Sequence, residues 1–105
     1  MRRNALVPEL AVSDWQTSRT FYRDLVGFEV AYERPEEGFS FLTLGDAQLM
    51  IDQIGIGRTF EIEDAPLERP FGRGLNLQIL VPAVSIIVER LAAVGVTLYL
   101  PLEEK

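Results

Sequence analysis

Two kinds of hydrophobic spacing take turns along this chain. From Ala5 to Val12, Leu6, Pro8, Leu10 and Val12 fall on one face, and Val7, Glu9 and Ala11 on the other. Period two predicts a strand over Ala5–Ser13, and Pro8, lacking an N–H, suits an edge. From Asp14 the spacing lengthens to three and four, through Trp15, Ser18, Phe21, Tyr22 and Leu25. That predicts a helix over Asp14–Val26, with core packing the ordinary use of its aromatic stripe. Ser13 and Gln16 have the spacing of a capping box at its start, and Gly27 supplies a left-handed stop. Period two then returns in Phe28–Tyr32, Phe39–Leu44 and Ala47–Asp52, separated by turn residues at Pro35–Gly38 and Gly45-Asp46.

The later half repeats the opening. Gly74–Val81 predicts a strand, Ala83–Val94 a helix, Gly95 its stop, and Val96–Leu100 another strand. Ile87, Leu91 and Val94 share one face of that helix, with Glu89 and Arg90 outside it. Leu10 aligns with Ile79, Val12 with Val81, and Gly27 with Gly95 to within one residue. An internal repeat of this kind decides architecture. The expected fold class is α+β: paired βαβββ modules forming a curved mixed sheet around a cleft. Residues 1–54 make the first module, 55–74 a linker or a loop over the cleft, and 75–105 the start of a second module. The first copy has two more strands where the second reaches Pro101 and Lys105. The expectation is therefore that the natural chain continues, or that a partner chain completes the lobe. Gly72-Arg73-Gly74 runs into a predicted strand and not a helix, which argues against a phosphate loop.

Composition narrows the chemistry. The chain has 105 residues, no Cys and no His, and a net charge of −6. Its length fits one domain. Without Cys there is neither a disulfide framework nor thiolate chemistry, and without His the commonest general base and metal ligand are missing. Negative charge disfavours nucleic acid and suits cationic ligands, although solubility is its commoner role. No apolar run reaches the roughly 18–20 residues of a membrane span, and no hydrophobic signal region follows the basic start. A cytoplasmic protein is expected.

Several strings resemble the vicinal-oxygen-chelate superfamily, the glyoxalase/bleomycin-resistance-like proteins. Val7–Asp14 is similar to its first strand, Phe21–Phe28 to its helix-to-strand join, and Gly74–Ile79 to the opening of its second module. The resemblance covers nearly the whole chain and is most specific at Phe21–Phe28. It implies half of a curved sheet per module, with a cleft between halves. It also implies metal-ligand positions at Val7, Met50 and Asn76, with a last position beyond Lys105. Val7 has no donor atom, Met50 only a thioether, and Asn76 only an amide oxygen, a poor set for a divalent ion. In this the chain resembles the bleomycin-resistance branch, which binds a drug without transforming it. There, a first-strand proline such as Pro8 accompanies exchange of the N-terminal arm within a homodimer.

Alternation extends those positions to a cleft lining. Glu9 follows Val7, Gln48 and Asp52 flank Met50, and Gln78 follows Asn76. Phe39 and Phe41 share the face opposite Leu42 and Leu44, and the resemblance implies that the leucines lie against the helix, which leaves the phenylalanines in the cleft. The candidate ligand-binding residues are thus Glu9, Phe39, Phe41, Gln48, Met50, Asp52, Asn76 and Gln78. Aromatic faces stack on planar rings and attract cations, carboxylates complement positive charge, and amides orient a ligand. Each residue has an ordinary alternative, as an exposed strand-edge charge or as packing. The expected function is metal-free, cofactor-free binding of a small organic molecule, in concrete form a cationic antibiotic such as bleomycin. The rivals are a metal-dependent lyase or dioxygenase of the same superfamily and a regulatory module with an unrelated ligand. Two carboxylates could serve acid/base catalysis, but no nucleophile accompanies them.

Overall fold

The structure, a computed structural model, describes residues 2–56 and 74–98. Among these, four strands form one mixed sheet: β1 (Glu9–Val12), β2 (Glu29–Arg34), β3 (Phe39–Leu44) and β4 (Ala47–Gln53). The sheet order is β1-β4-β3-β2. β1 runs parallel to β4, and the β2–β3 and β3–β4 pairs are antiparallel. A parallel partner needs a crossover, and the segment from Trp15 to Val26 supplies it. Its first turns are α1 (Trp15–Thr20), and Phe21–Val26 continues as a wider π-type turn. A second helix, α2, spans Val84–Ala93. The chain is therefore α+β, with a βαβββ module, a four-strand mixed sheet and a C-terminal helix.

Each turn has a local cause. The cap of α1 is Asp14, not Ser13: its extended backbone lets Oδ1 accept from the Thr17 N–H at 3.1 Å. Asp14 lies one residue nearer the first helical turn, and an aspartate caps as well as a serine. Gly27 is left-handed at φ 106°, so the N–H groups of Gly27 and Phe28 both donate to the Tyr22 carbonyl. β2 carries an irregularity between Val30 and Tyr32 that leaves Ala31 out of the pairing. The bulge keeps Tyr32 opposite Phe41 and carries the strand on to Arg34, beyond its predicted end.

The core lies between the sheet and the helical segment. Trp15, Phe28, Leu42, Leu49 and Ile51 form it, with Leu10, Val12, Tyr22, Val26, Val30, Leu44, Ala47 and Ile79 against it. A buried polar chain pins the helix to the sheet. Trp15 Nε1 donates to Ser40 Oγ at 2.6 Å, and Ser40 Oγ donates to Glu33 Oε2 at 2.9 Å. Arg19 closes the chain, 2.8 Å from Glu33 Oε1 and 4.6 Å over the Trp15 ring.

Other expectations are corrected. Residues 75–82 form no strand pairing among the described residues, and Leu80 is 95% exposed. A period-two pattern specifies a strand only where a neighbouring edge takes up its backbone groups. Leu6 is 83% exposed rather than facing the core with Leu10, because the ladder reaches back only to the Pro8 carbonyl, which accepts from Met50 N–H at 2.8 Å. Val94 is exposed as well, since it follows the last turn of α2, while Ile87 and Leu91 are half-buried. Most of the predicted 55–74 linker and the end of the Val96–Leu100 strand lie outside the described residues.

Candidate functional site

The sheet face turned away from α1 collects most of the residues singled out by alternation. Register sets Phe39 opposite Asp52, Phe41 opposite Met50, and Thr43 opposite Gln48. Across the β1–β4 pair, Glu9 lies opposite Met50. Across the β2–β3 pair, Tyr32 lies opposite Phe41 and Arg34 opposite Phe39. Cross-strand partners share a face, so these side chains form one continuous surface.

Its floor is aromatic. Tyr32 and Phe41 are stacked, with centroids 5.2 Å apart and planes at 14°, and Phe39 lies 5.9 Å from Tyr32. Guanidinium groups cover both phenylalanines: Arg34 stands 4.2 Å from the Phe39 centroid and Arg3 stands 5.2 Å from that of Phe41. Arg34 Nε also donates to Glu37. Arg3, Glu9, Tyr32, Arg34, Phe39 and Met50 line an open depression of about 320 Å³.

The N-terminal arm lies at the edge of this surface. Arg3 donates to Tyr32 Oη at 2.6 Å. The Asn4 N–H donates to Gln48 Oε1 at 2.6 Å, and Gln48 Nε2 donates to the Arg2 carbonyl at 2.7 Å. Asn4 Nδ2 donates to the Asp46 carbonyl at 2.8 Å. Gln48 thus clamps the chain's own arm. Asp52 is 3% exposed, set beneath the surface rather than on its rim.

The other two expected positions lie elsewhere. Asn76 is exposed in the irregular segment before α2. Gln78 lines two separate hollows, one with Pro8, Gln48 and Ile79 and the other near the Gly45-Asp46 turn. The structure brings Glu9, Phe39, Phe41, Gln48, Met50 and Asp52 to one face; Gln78 shares a separate hollow with Gln48, and Asn76 is exposed in the segment before α2. Sequence reasoning missed Arg3, Tyr32 and Arg34. Tyr32 and Arg34 alternate on β2 and were within reach of a period-two reading that ran past Tyr32. Arg3 left no signal, because its place depends on an arm without periodicity.

The metal positions implied by the resemblance are not built for an ion. Met50 lines the depression on the aromatic face, and Asn76 is exposed and not among the residues lining it. Among the described residues, no group of three His, Cys, Asp or Glu side chains could hold a metal. Divalent ions call for several convergent oxygen or imidazole donors, and Val7, Met50 and Asn76 do not provide them.

Several solved structures are similar to this chain. A glyoxalase/bleomycin resistance protein/dioxygenase superfamily member from Vibrio splendidus 12B01 is 34% identical over 83% of this chain, with a TM-score of 0.44. SMU.1112c is 28% identical, covering 89% of this chain and 75% of its own, with a TM-score of 0.51. The bleomycin-binding protein of bleomycin-producing Streptomyces verticillus, solved with copper(II)-bleomycin, is 26% identical over 51% of this chain and 43% of its own, with a TM-score of 0.43. The chain spans 65% of the length of the Vibrio splendidus protein. No protein-family model and no curated protein sequence matches it. Its structural neighbours thus include a glyoxalase/bleomycin resistance/dioxygenase superfamily member and a bleomycin-binding protein.

Proposed function

We propose that this chain is a small-molecule-binding protein of the glyoxalase/bleomycin-resistance type, whose ligand lies on the β2–β3–β4 face without a metal ion. The observation that carries the reading is a depression lined by Tyr32, Phe39, Glu9 and Met50, with Phe41 buried beneath Arg3 and stacked on Tyr32. A face of three aromatic rings takes up a flat organic molecule, and the quadrupole of each ring favours a cationic one. Sequestration of a cationic antibiotic such as bleomycin is the concrete form. A homodimer exchanging its N-terminal arms near Pro8 belongs to the same proposal. Arg2, Arg3 and Asn4 bond to Gln48, Tyr32 and Asp46 of their own chain, so arm exchange would replace these contacts.

Calorimetric titration with metal-free bleomycin tests the reading. Tryptophan emission is the poorer probe, because Trp15 packs on the opposite face of the sheet. Saturable binding is expected, and Glu9→Gln should weaken it by about two- to fivefold, the range of a partly exposed charge pair. Binding that ignores Glu9→Gln removes the carboxylate from the argument. Elemental analysis of the purified chain is expected to find no stoichiometric divalent ion. A tightly held ion would instead favour the metal-dependent lyase or dioxygenase reading.

A further inference from the structure

We infer that Arg3 is a built-in competitor for the ligand: the aromatic face takes a planar amidine- or guanidine-type cation, which must displace the chain's own N-terminal arm. The inference rests on the reading that this face binds a small organic molecule, and it adds the chemical class of that molecule and the contact it replaces.

Arg3 already demonstrates the fit. Its guanidinium is a flat cation lying 5.2 Å from the Phe41 centroid and donating to Tyr32 Oη at 2.6 Å. Arg34 makes the same kind of contact with Phe39 at 4.2 Å, and its charge is offset by the bond to Glu37. Two of the three rings thus carry planar cations from the chain itself. Glu9 lines the same depression and adds a carboxylate to its rim. An anionic ligand would need basic groups that are not already engaged with the rings. The chain's chemistry selects for positive, flat and hydrogen-bond-donating groups.

The arm is also held in a way that permits release. Its bonds from Arg3 to Tyr32, Asn4 to Gln48 and Asp46, and Gln48 to Arg2 are all solvent-exposed. Water competes for such bonds, so each adds little net stability. No core residue belongs to the arm. A short tether nonetheless presents Arg3 to the ring at an effective concentration of order millimolar, which a free cation must overcome. The apparent affinity of the face is reduced by the fraction of molecules whose arm is closed.

Benzamidine and benzoate, a planar cation and its anionic counterpart of similar shape, test this by calorimetry on the full chain. Benzamidine should bind Arg3→Ala about three- to tenfold more tightly than wild type, because the competitor is gone. Asn4→Ala, which removes the arm's bond to the Asp46 carbonyl without touching the rings or the candidate lining, should shift affinity in the same direction. In wild type, benzamidine should also speed hydrogen exchange at the Asn4 amide, which loses its Gln48 acceptor. Far-UV circular dichroism confirms that both variants are folded. Equal benzamidine affinity in all three proteins, with Asn4 exchange unchanged, overturns the competitor role and leaves the ligand face standing. Benzoate binding that weakens in Arg3→Ala reverses the sign and overturns the ligand class. Absence of benzamidine binding to any of the three also overturns that class, and the bleomycin titration then decides the underlying reading separately.

Discussion

Ser40 shows how much can rest on one small side chain. It sits between Phe39 and Phe41 on β3, yet points to the opposite face, where it accepts from Trp15 and donates to Glu33. Replacing it with alanine orphans the buried indole N–H. Ser40→Ala should therefore cost about 1–3 kcal/mol, read as a lower urea midpoint at unchanged slope. Tyr22 offers a test by pH. Its phenol packs edge-on against Phe28 at 5.8 Å, and burial pushes its pKa above the ordinary value. The folded state then holds this proton more tightly than the unfolded chain does. Its contribution is complete below the tyrosine's unfolded pKa and is lost as pH rises through the folded one. Above about pH 10, wild type should lose stability more steeply than Tyr22→Phe, measured as the difference between their denaturant midpoints at each pH.

At the scale of elements, the turns decide which residues meet. Gly38 joins the short turn Pro35–Glu37 to β3 at φ 61°, and a Cβ there would come within 2.8 Å of Gln53 Cβ. Gly45 is also left-handed, at φ 57°, but faces open space. Both positions strain an L-residue, and only the first adds a clash. Gly45→Ala should cost about 1–2 kcal/mol and Gly38→Ala more, a ranking that thermal unfolding of the two variants checks. The elements of the first module were legible because spacing, turn residues and the glycine stop agree with one another. The cap was displaced by one residue because Ser13 and Asp14 are both capable caps, and only backbone geometry chooses between them. The predicted strand over Gly74–Val81 had the right pattern but pairs with no strand among the described residues.

Across the whole molecule, the two halves differ in how they are buried. The first module encloses its core, whereas Leu75, Leu77, Leu80, Val84, Ile86, Val94 and Val96 are exposed. So much apolar surface on one half should bind a hydrophobic dye. Wild type is expected to enhance anilinonaphthalene sulfonate emission, and the double variant Leu80→Ser, Val94→Ser to enhance it less while keeping its circular dichroism. No helix among the described residues is long and apolar enough to cross a membrane.

The sequence by itself determined the βαβββ order, the two faces of each strand and the class of structures this chain resembles. These follow from local periodicity, which is fixed by the backbone geometry of strands and helices. Together with the positions implied by the resemblance, alternation also put Glu9, Phe39, Phe41, Gln48, Met50 and Asp52 on one side. Only the tertiary structure decided what covers that side. Arg3 lies far along the chain from Tyr32 and Phe41, and its contact with them arises because the arm folds back along β4. Likewise, only packing left Asn76 exposed and set Gln78 beside Gln48 in a separate hollow. Their segment takes its place from long-range contacts of Ile79 and α2, which no local pattern specifies.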